Sequence, residues 1–261
     1  MISKKNLIPF LNRVVIPFVI LIILTRIYFM ISIILLKNKD LHLFELSMLS
    51  YEIAGIIIGV FFVYYFKLYF KFPRESIKNF LPYLFLTLLF GYLFTLLFLY
   101  RDYNLKPVDF SFSLKKRTLS YLMYFTLIII DPVNEELFFR HVIFDYFIKR
   151  NRFPAGIITN SFLFALAHML FYATNNYIDF IQFFLMAVTF SVIRLRFGWI
   201  YSVISHSMIN FMGFLFLDKV SDLYIMDYFR GNIIFWWIWG FAVLLYLILL
   251  FLFYRTINKI S

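Results

Sequence analysis

Glu135, Glu136 and Arg140 are the ionisable residues of the hexapeptide Glu-Glu-Leu-Phe-Phe-Arg, set in a stretch otherwise apolar enough to cross a membrane. Ionisable groups at membrane depth are expensive, and they persist where they face a protein interior or a wet cavity. Downstream, in equally apolar surroundings, stand His168, His206 and Asn210. Carboxylates and imidazoles move protons near neutral pH, and amide and ring N–H groups stabilise developing negative charge. Gathered inside a bilayer, these types suit hydrolysis. On a helix, Glu136 and Arg140 are four residues apart with the acid on the N-terminal side, the better orientation for an ion pair. Glu135 lies about 100° round from Glu136. One carboxylate can therefore be tied to Arg140 while the other points into a cavity. His206 and Asn210 are again four apart and share a helix face. The plain structural alternative is an interhelical salt-bridge cluster with hydrogen-bonding histidines. The second glutamate and the second histidine weigh against it.

The elements that must position these groups are helices. Of the 261 residues, 63% are hydrophobic and 23% aromatic, whereas a soluble domain of this length is about half apolar. Runs of about 20 apolar residues give eight candidate spans, near 14–36, 46–66, 80–100, 119–148, 154–172, 177–195, 199–217 and 233–254. The expected architecture is an all-α polytopic membrane protein, a single domain over 1–261, with about eight transmembrane helices and the active site inside the bundle. The run from Val14 to Leu36 is too long for a signal-peptide core and reads as a retained first span. The fourth span exceeds what a bilayer needs. Pro132 interrupts it and predicts a kink or break just before the glutamates, which would let water reach Glu135. At about 1.5 Å per residue, Glu135, His168 and His206 all fall inside a hydrocarbon slab of about 30 Å.

The net charge of +11 is dispersed at span ends, as the positive-inside rule and anionic lipid headgroups require, so nucleic acid is not an expected partner. Lysines and arginines favour both termini in the cytoplasm, fourteen against nine, although Lys115, Lys116 and Arg117 oppose that assignment. The loop from Asp218 to Arg230 is the most polar stretch of the second half. With no cysteine in the chain, disulfides, thiol catalysis and thiolate metal ligands are excluded.

Three motifs occur in order, each on its own span: Glu-Glu-x-x-x-Arg (Glu135, Glu136, Arg140), Phe-x-x-x-His (Phe164, His168) and His-x-x-x-Asn (His206, Asn210). Together with Pro132 they resemble the CPBP family, the CAAX-protease and bacteriocin-processing intramembrane endopeptidases also called the Abi family. The resemblance covers about residues 119–214, the expected protease core. One departure is His141, where many members carry glycine after the motif arginine; a bulkier residue there would alter packing beside Arg140. The resemblance implies a glutamic-type intramembrane protease. In it Glu135 and His168 activate a water, His206 and Asn210 stabilise the oxyanion, and Glu136 and Arg140 hold the helix geometry.

Three other readings use the same residues. In a metal version Glu135, His168 and His206 would make a His₂-carboxylate zinc set with one open position; the resemblance leans towards no cofactor. A non-catalytic immunity or scaffold protein would bind a peptide or partner in the cavity. A proton-coupled transporter ranks last, because the spans show no inverted repeat of broken helices. The expected substrate is a peptide or a membrane-protein terminus met in the lipid bilayer. A composition rich in Ile, Phe, Lys and Asn points to a multi-pass protein of a bacterial cell membrane.

Overall fold

The long apolar runs fold as helices, as they must where lipid offers no partner to a backbone N–H or C=O. The structure, a computed structural model, describes residues 8–37, 41–68, 79–89, 121–172, 177–217 and 233–257. In chain order the helices are α1 (Ile16–Lys37, entered through a π-helical turn Leu11–Val15), α2 (Leu41–Tyr65) and α3 (Asn79–Leu89). Next come the composite helix α4 (121–148), α5 (Phe153–Tyr172), α6 (Tyr177–Phe197), α7 (Trp199–Leu217) and α8 (Ile233–Ile257). Among the described residues, four helices are long and apolar enough to cross a membrane: Ile8–Tyr28, Leu43–Tyr65, Phe153–Leu170 and Phe180–Phe197. The protein is an all-α, polytopic membrane protein. Part of the third expected span (90–100), the Lys115–Arg117 cluster, Lys4 and Lys5, and the loop from Asp218 to Arg230 lie outside the described residues.

The chain divides into two compact units, Met1–Arg74 with Tyr121–Ile204, and Glu75–Ser120 with Ser205–Ser261. In the first unit, α4 is the central element. It packs on α1, α2, α5 and α6, while α1 lies along α2 and α5 along α6. Residues 136–147 are buried without interruption, the mark of a helix enclosed on every side. The close approach of α2 depends on Gly55 and Gly59, a Gly-x-x-x-Gly pattern that lets helices meet in membranes. A Cβ at Gly55 would overlap the Asn134 amide, and one at Gly59 the Leu137 side chain.

Pro132 does not break α4. The backbone stays helical through Ile130 (φ −75°, ψ −45°) and Asp131 (φ −59°, ψ −50°). Thr126–Ile130 instead forms a π-helical turn, closed by the Asp131 N–H donating to the Thr126 carbonyl. Proline cannot donate to the carbonyl four residues back; the wider turn absorbs that missing bond without ending the helix. A second π-helical stretch, Leu137–Ile143, follows the glutamates directly, so the α-helical Asp131–Glu136 segment is framed by two wide turns. Such turns recur at functional sites. Helix α4 ends at Asn151 in the left-handed region (φ 53°), with the Arg152 N–H closing back to the Phe147 carbonyl at 3.0 Å. Between α6 and α7 the chain turns at Gly198, whose φ of 102° a side chain rarely tolerates.

The second unit contains α3, α8 and α7 from Ser205 onward. Tyr246 of α8 and Phe80 of α3 are among its buried side chains.

Candidate active site

Within the α-helical segment of α4, Asp131, Asn134 and Glu135 share one face and Glu136 turns away from it. The two glutamates consequently live in different surroundings. Glu136 and Arg140 are both fully buried, with Glu136 Oε1 at 3.2 Å from Arg140 Nη1. The other carboxylate oxygen accepts from the Ser202 hydroxyl at the start of α7. Arg140 donates through Nη2 to the Ala187 carbonyl of α6 at 3.5 Å. Its guanidinium lies 4.3 Å from the Phe164 ring centre and 5.2 Å from that of Phe190, a cation–π environment suited to a weakly hydrated charge. Arg194 of α6 donates in turn to the Arg140 carbonyl at 3.3 Å. The pair thus ties α4 to α5, α6 and α7.

Glu135 faces α5. Its Oε1 is 3.4 Å from His168 Nε2, and both side chains are only slightly exposed. The far side of the imidazole is held by the backbone: Nδ1 lies 2.9 Å from the Phe164 carbonyl. A carbonyl can only accept, so Nδ1 carries the hydrogen, and in the neutral ring Nε2 presents a lone pair towards Glu135. The ring is clasped between Phe164 and Phe183, at 4.1 and 4.5 Å between centres. Phe164 therefore orients His168 with its carbonyl and its face, and supports Arg140 with the same ring. At 3.4 Å the Glu135–His168 contact is longer than a strong hydrogen bond, a separation that leaves the two groups free to close on a shared water.

Glu135 and His168 line a cavity of about 60 Å³, together with Leu21 and Thr25 of α1, Met48, Tyr51 and Glu52 of α2, Leu127, Asp131, Asn134 and Phe139 of α4, and Ala167 of α5. That volume holds a few water molecules, and its walls carry enough polar atoms to anchor them. Tyr51 stacks on Tyr28 at 4.7 Å. Thr25 donates to the Leu21 carbonyl at 2.9 Å, so the Tyr51 hydroxyl is the donor in its 2.7 Å bond to Thr25 Oγ1.

Sequence reasoning missed Glu52, Asp131 and Asn134. Glu52 is buried and accepts from Asn134 Nδ2 at 2.6 Å, and it lines the same cavity as Asp131. The signal was present: Glu52 is an ionisable residue inside an apolar span, three residues before the Gly-x-x-x-Gly pattern, and the rule that drew attention to Glu135 applies to it equally.

His206 and Asn210 lie on α7 in the second unit, His206 buried and Asn210 half-buried. Among the described residues no group of three or more His, Asp or Glu side chains is placed to hold a metal ion. His141 is fully buried, its ring 6.1 Å from that of Trp199. The residue that replaces the expected glycine is taken into the core beside α7, and the Glu136–Arg140 pair forms alongside it.

No curated protein and no solved structure matches the chain significantly. Residues 117–212, which contain α4 to α6 and all three motifs, match the family model described as Rce1-like, type II CAAX prenyl endopeptidase. The match falls on the segment whose motifs resemble the CPBP/CAAX protease family.

Proposed function

We propose that the protein is an intramembrane endopeptidase that hydrolyses a peptide bond with a water activated by Glu135 and His168. The observation that carries this reading is the Glu135–His168 contact at the wall of a water-sized cavity. Glu135 takes a proton from the water as its oxygen attacks the scissile carbonyl. His168, held with its Nε2 towards Glu135 by the Phe164 carbonyl, shares that proton. On the pattern of the family motifs, His206 and Asn210 supply N–H donors to the oxyanion, and Glu136 with Arg140 holds α4 in place. The substrate is a peptide or a membrane-protein terminus presented at membrane depth. The family description names a prenylated CAAX terminus, and an isoprenoid tail would be at home in the same lipid.

The test compares peptide termini in cells expressing the wild type or Glu135→Gln at matched membrane levels. The variant keeps the size of the side chain and removes the base. Termini present with the wild type and missing with Glu135→Gln are expected, and they would identify the substrate. Identical termini would overturn the reading in favour of peptide or partner binding. The same cleavage is expected to survive a strong chelator, since no metal enters this mechanism; its loss, restored by zinc, would replace that part of it.

A further inference from the structure

The polar contacts of His168 do not fix the plane of its ring. Nδ1 reaches the Phe164 carbonyl at 2.9 Å, one turn earlier on the same helix. Nε2 meets Glu135 at 3.4 Å, too far to hold the ring by itself. With these contacts alone the imidazole could swing about χ2, a torsion with broad minima, and carry Nε2 off Glu135. A stack of side chains prevents this. Phe164 covers one face of the ring, with 4.1 Å between centres and 32° between planes. Phe183 of α6 covers the other, at 4.5 Å and 33°. Phe164 is fully buried and rests in turn against the Arg140 guanidinium, 4.3 Å from its ring centre. The column therefore runs Arg140, Phe164, His168, Phe183, and Phe183 is its end.

The place of Phe183 is set by the same face of α6 that grips Arg140. Phe183, Ala187, Phe190 and Arg194 follow one another at intervals of three or four residues, the repeat of a single helix face. The Ala187 carbonyl accepts from Arg140, the Phe190 ring lies against its guanidinium, and Arg194 donates to its carbonyl. Helix α6 cannot turn or slide without disturbing those contacts, so the buried ion pair also anchors Phe183. We infer that Phe183 is a positioning residue for water activation: its ring closes the second face of His168 and keeps Nε2 on Glu135. This rests on the reading of Glu135 and His168 as the pair that activates the water. Phe183 does not line the cavity and exchanges no proton; it acts through His168. Its contribution is geometric, since a displacement of about 1 Å can cost about 10²-fold in rate.

Phe183→Ala, Phe183→Leu and Phe183→Tyr separate the flat face from the volume it fills. On the peptide recovered from the cellular comparison, Phe183→Ala should lower kcat by about 10²-fold with KM unchanged. Phe183→Leu fills most of the space without a flat face and should stay slow, whereas Phe183→Tyr should restore most of the rate. Phe184→Ala is the control: that ring stacks on Phe180 at 6.3 Å, outside the column, and its loss should leave kcat near wild type. Full rate in Phe183→Ala, equal rates in Phe183→Leu and Phe183→Tyr, or an equal loss in Phe184→Ala overturns the inference. A second readout needs no substrate and serves if Phe183→Ala fails to accumulate. In membranes carrying isotope-labelled histidine, His168→Gln identifies the His168 nitrogen resonances. Glu135→Gln should shift the Nε2 resonance in the wild-type background and leave it unmoved in Phe183→Leu. The same shift in both backgrounds means that Phe183 does not hold the contact, and the inference is wrong. Termini that persist in Glu135→Gln overturn the proposed function and, with it, any part of Phe183 in catalysis. Full-rate Phe183→Ala beside an inactive Glu135→Gln overturns the inference alone.

Discussion

Glu136 and Arg140 form an ion pair with no exposed surface, and removing two charges from water is costly unless each is fully compensated. The Ser202 hydroxyl, the Ala187 carbonyl and the ring faces around the guanidinium provide that compensation. Removing one partner leaves the other charge buried alone. Glu136→Ala or Arg140→Ala should therefore destabilise by about 3–5 kcal/mol. The double variant Glu136→Ala with Arg140→Met should recover much of that loss. Unfolding midpoints in detergent or bilayer mimetics, read as a double-mutant cycle, measure it; additive losses would mean that the two residues do not act as a pair. Glu135 should behave oppositely. It lies at the cavity wall rather than in this network, so Glu135→Gln should leave the unfolding midpoint near that of the wild type while cleavage is lost.

At the scale of elements, the site depends on how closely α2 can approach α4. Gly55 leaves room for the Asn134 amide, which in turn holds Glu52. Gly55→Ala forces that amide to move, and it should lower cleavage more than it lowers stability. At Gly59 the obstacle is the Leu137 side chain. Gly59→Ile should push the helices apart and reduce accumulation. Gly240 of α8 is the control, since a Cβ there meets nothing within 4 Å; Gly240→Ala should change stability by no more than about 0.5 kcal/mol. Equal effects of Gly55→Ala and Gly240→Ala on cleavage would show that the close α2–α4 approach has no bearing on the site. The two π-helical turns of α4 belong to the same scale. They let a proline and a glutamate pair occupy one continuous helix, so the wet cavity arises from helix packing and not from a gap in the backbone.

At the scale of the whole molecule, the proposed chemistry draws on residues far apart in sequence, with the base on α4, its imidazole on α5 and the oxyanion donors on α7. If Asn210 donates to the oxyanion, Asn210→Ala should slow cleavage by about 10²–10³-fold with little effect on substrate affinity. Single-turnover rates on the peptide recovered from the cellular comparison would measure this. A purely raised KM would assign Asn210 to substrate binding instead.

By itself the sequence determined the helical class, the membrane location and the types of residue available for chemistry, because apolarity and motif spacing are summed locally along the chain. It also foretold the Glu136–Arg140 contact, since four residues on a helix set that distance whatever surrounds it. Tertiary structure alone decided what Glu135 faces. The Phe164 carbonyl and two aromatic rings orient His168. Glu52 arrives at Asn134 from 82 residues away, a meeting that depends on which helix faces pack together and on two glycines that let them approach. The outcome at Pro132 was likewise decided by context. Its missing donor predicts a break in an isolated helix, but α4 is enclosed by four other helices, and a wider turn that keeps the helix continuous accommodates the proline there.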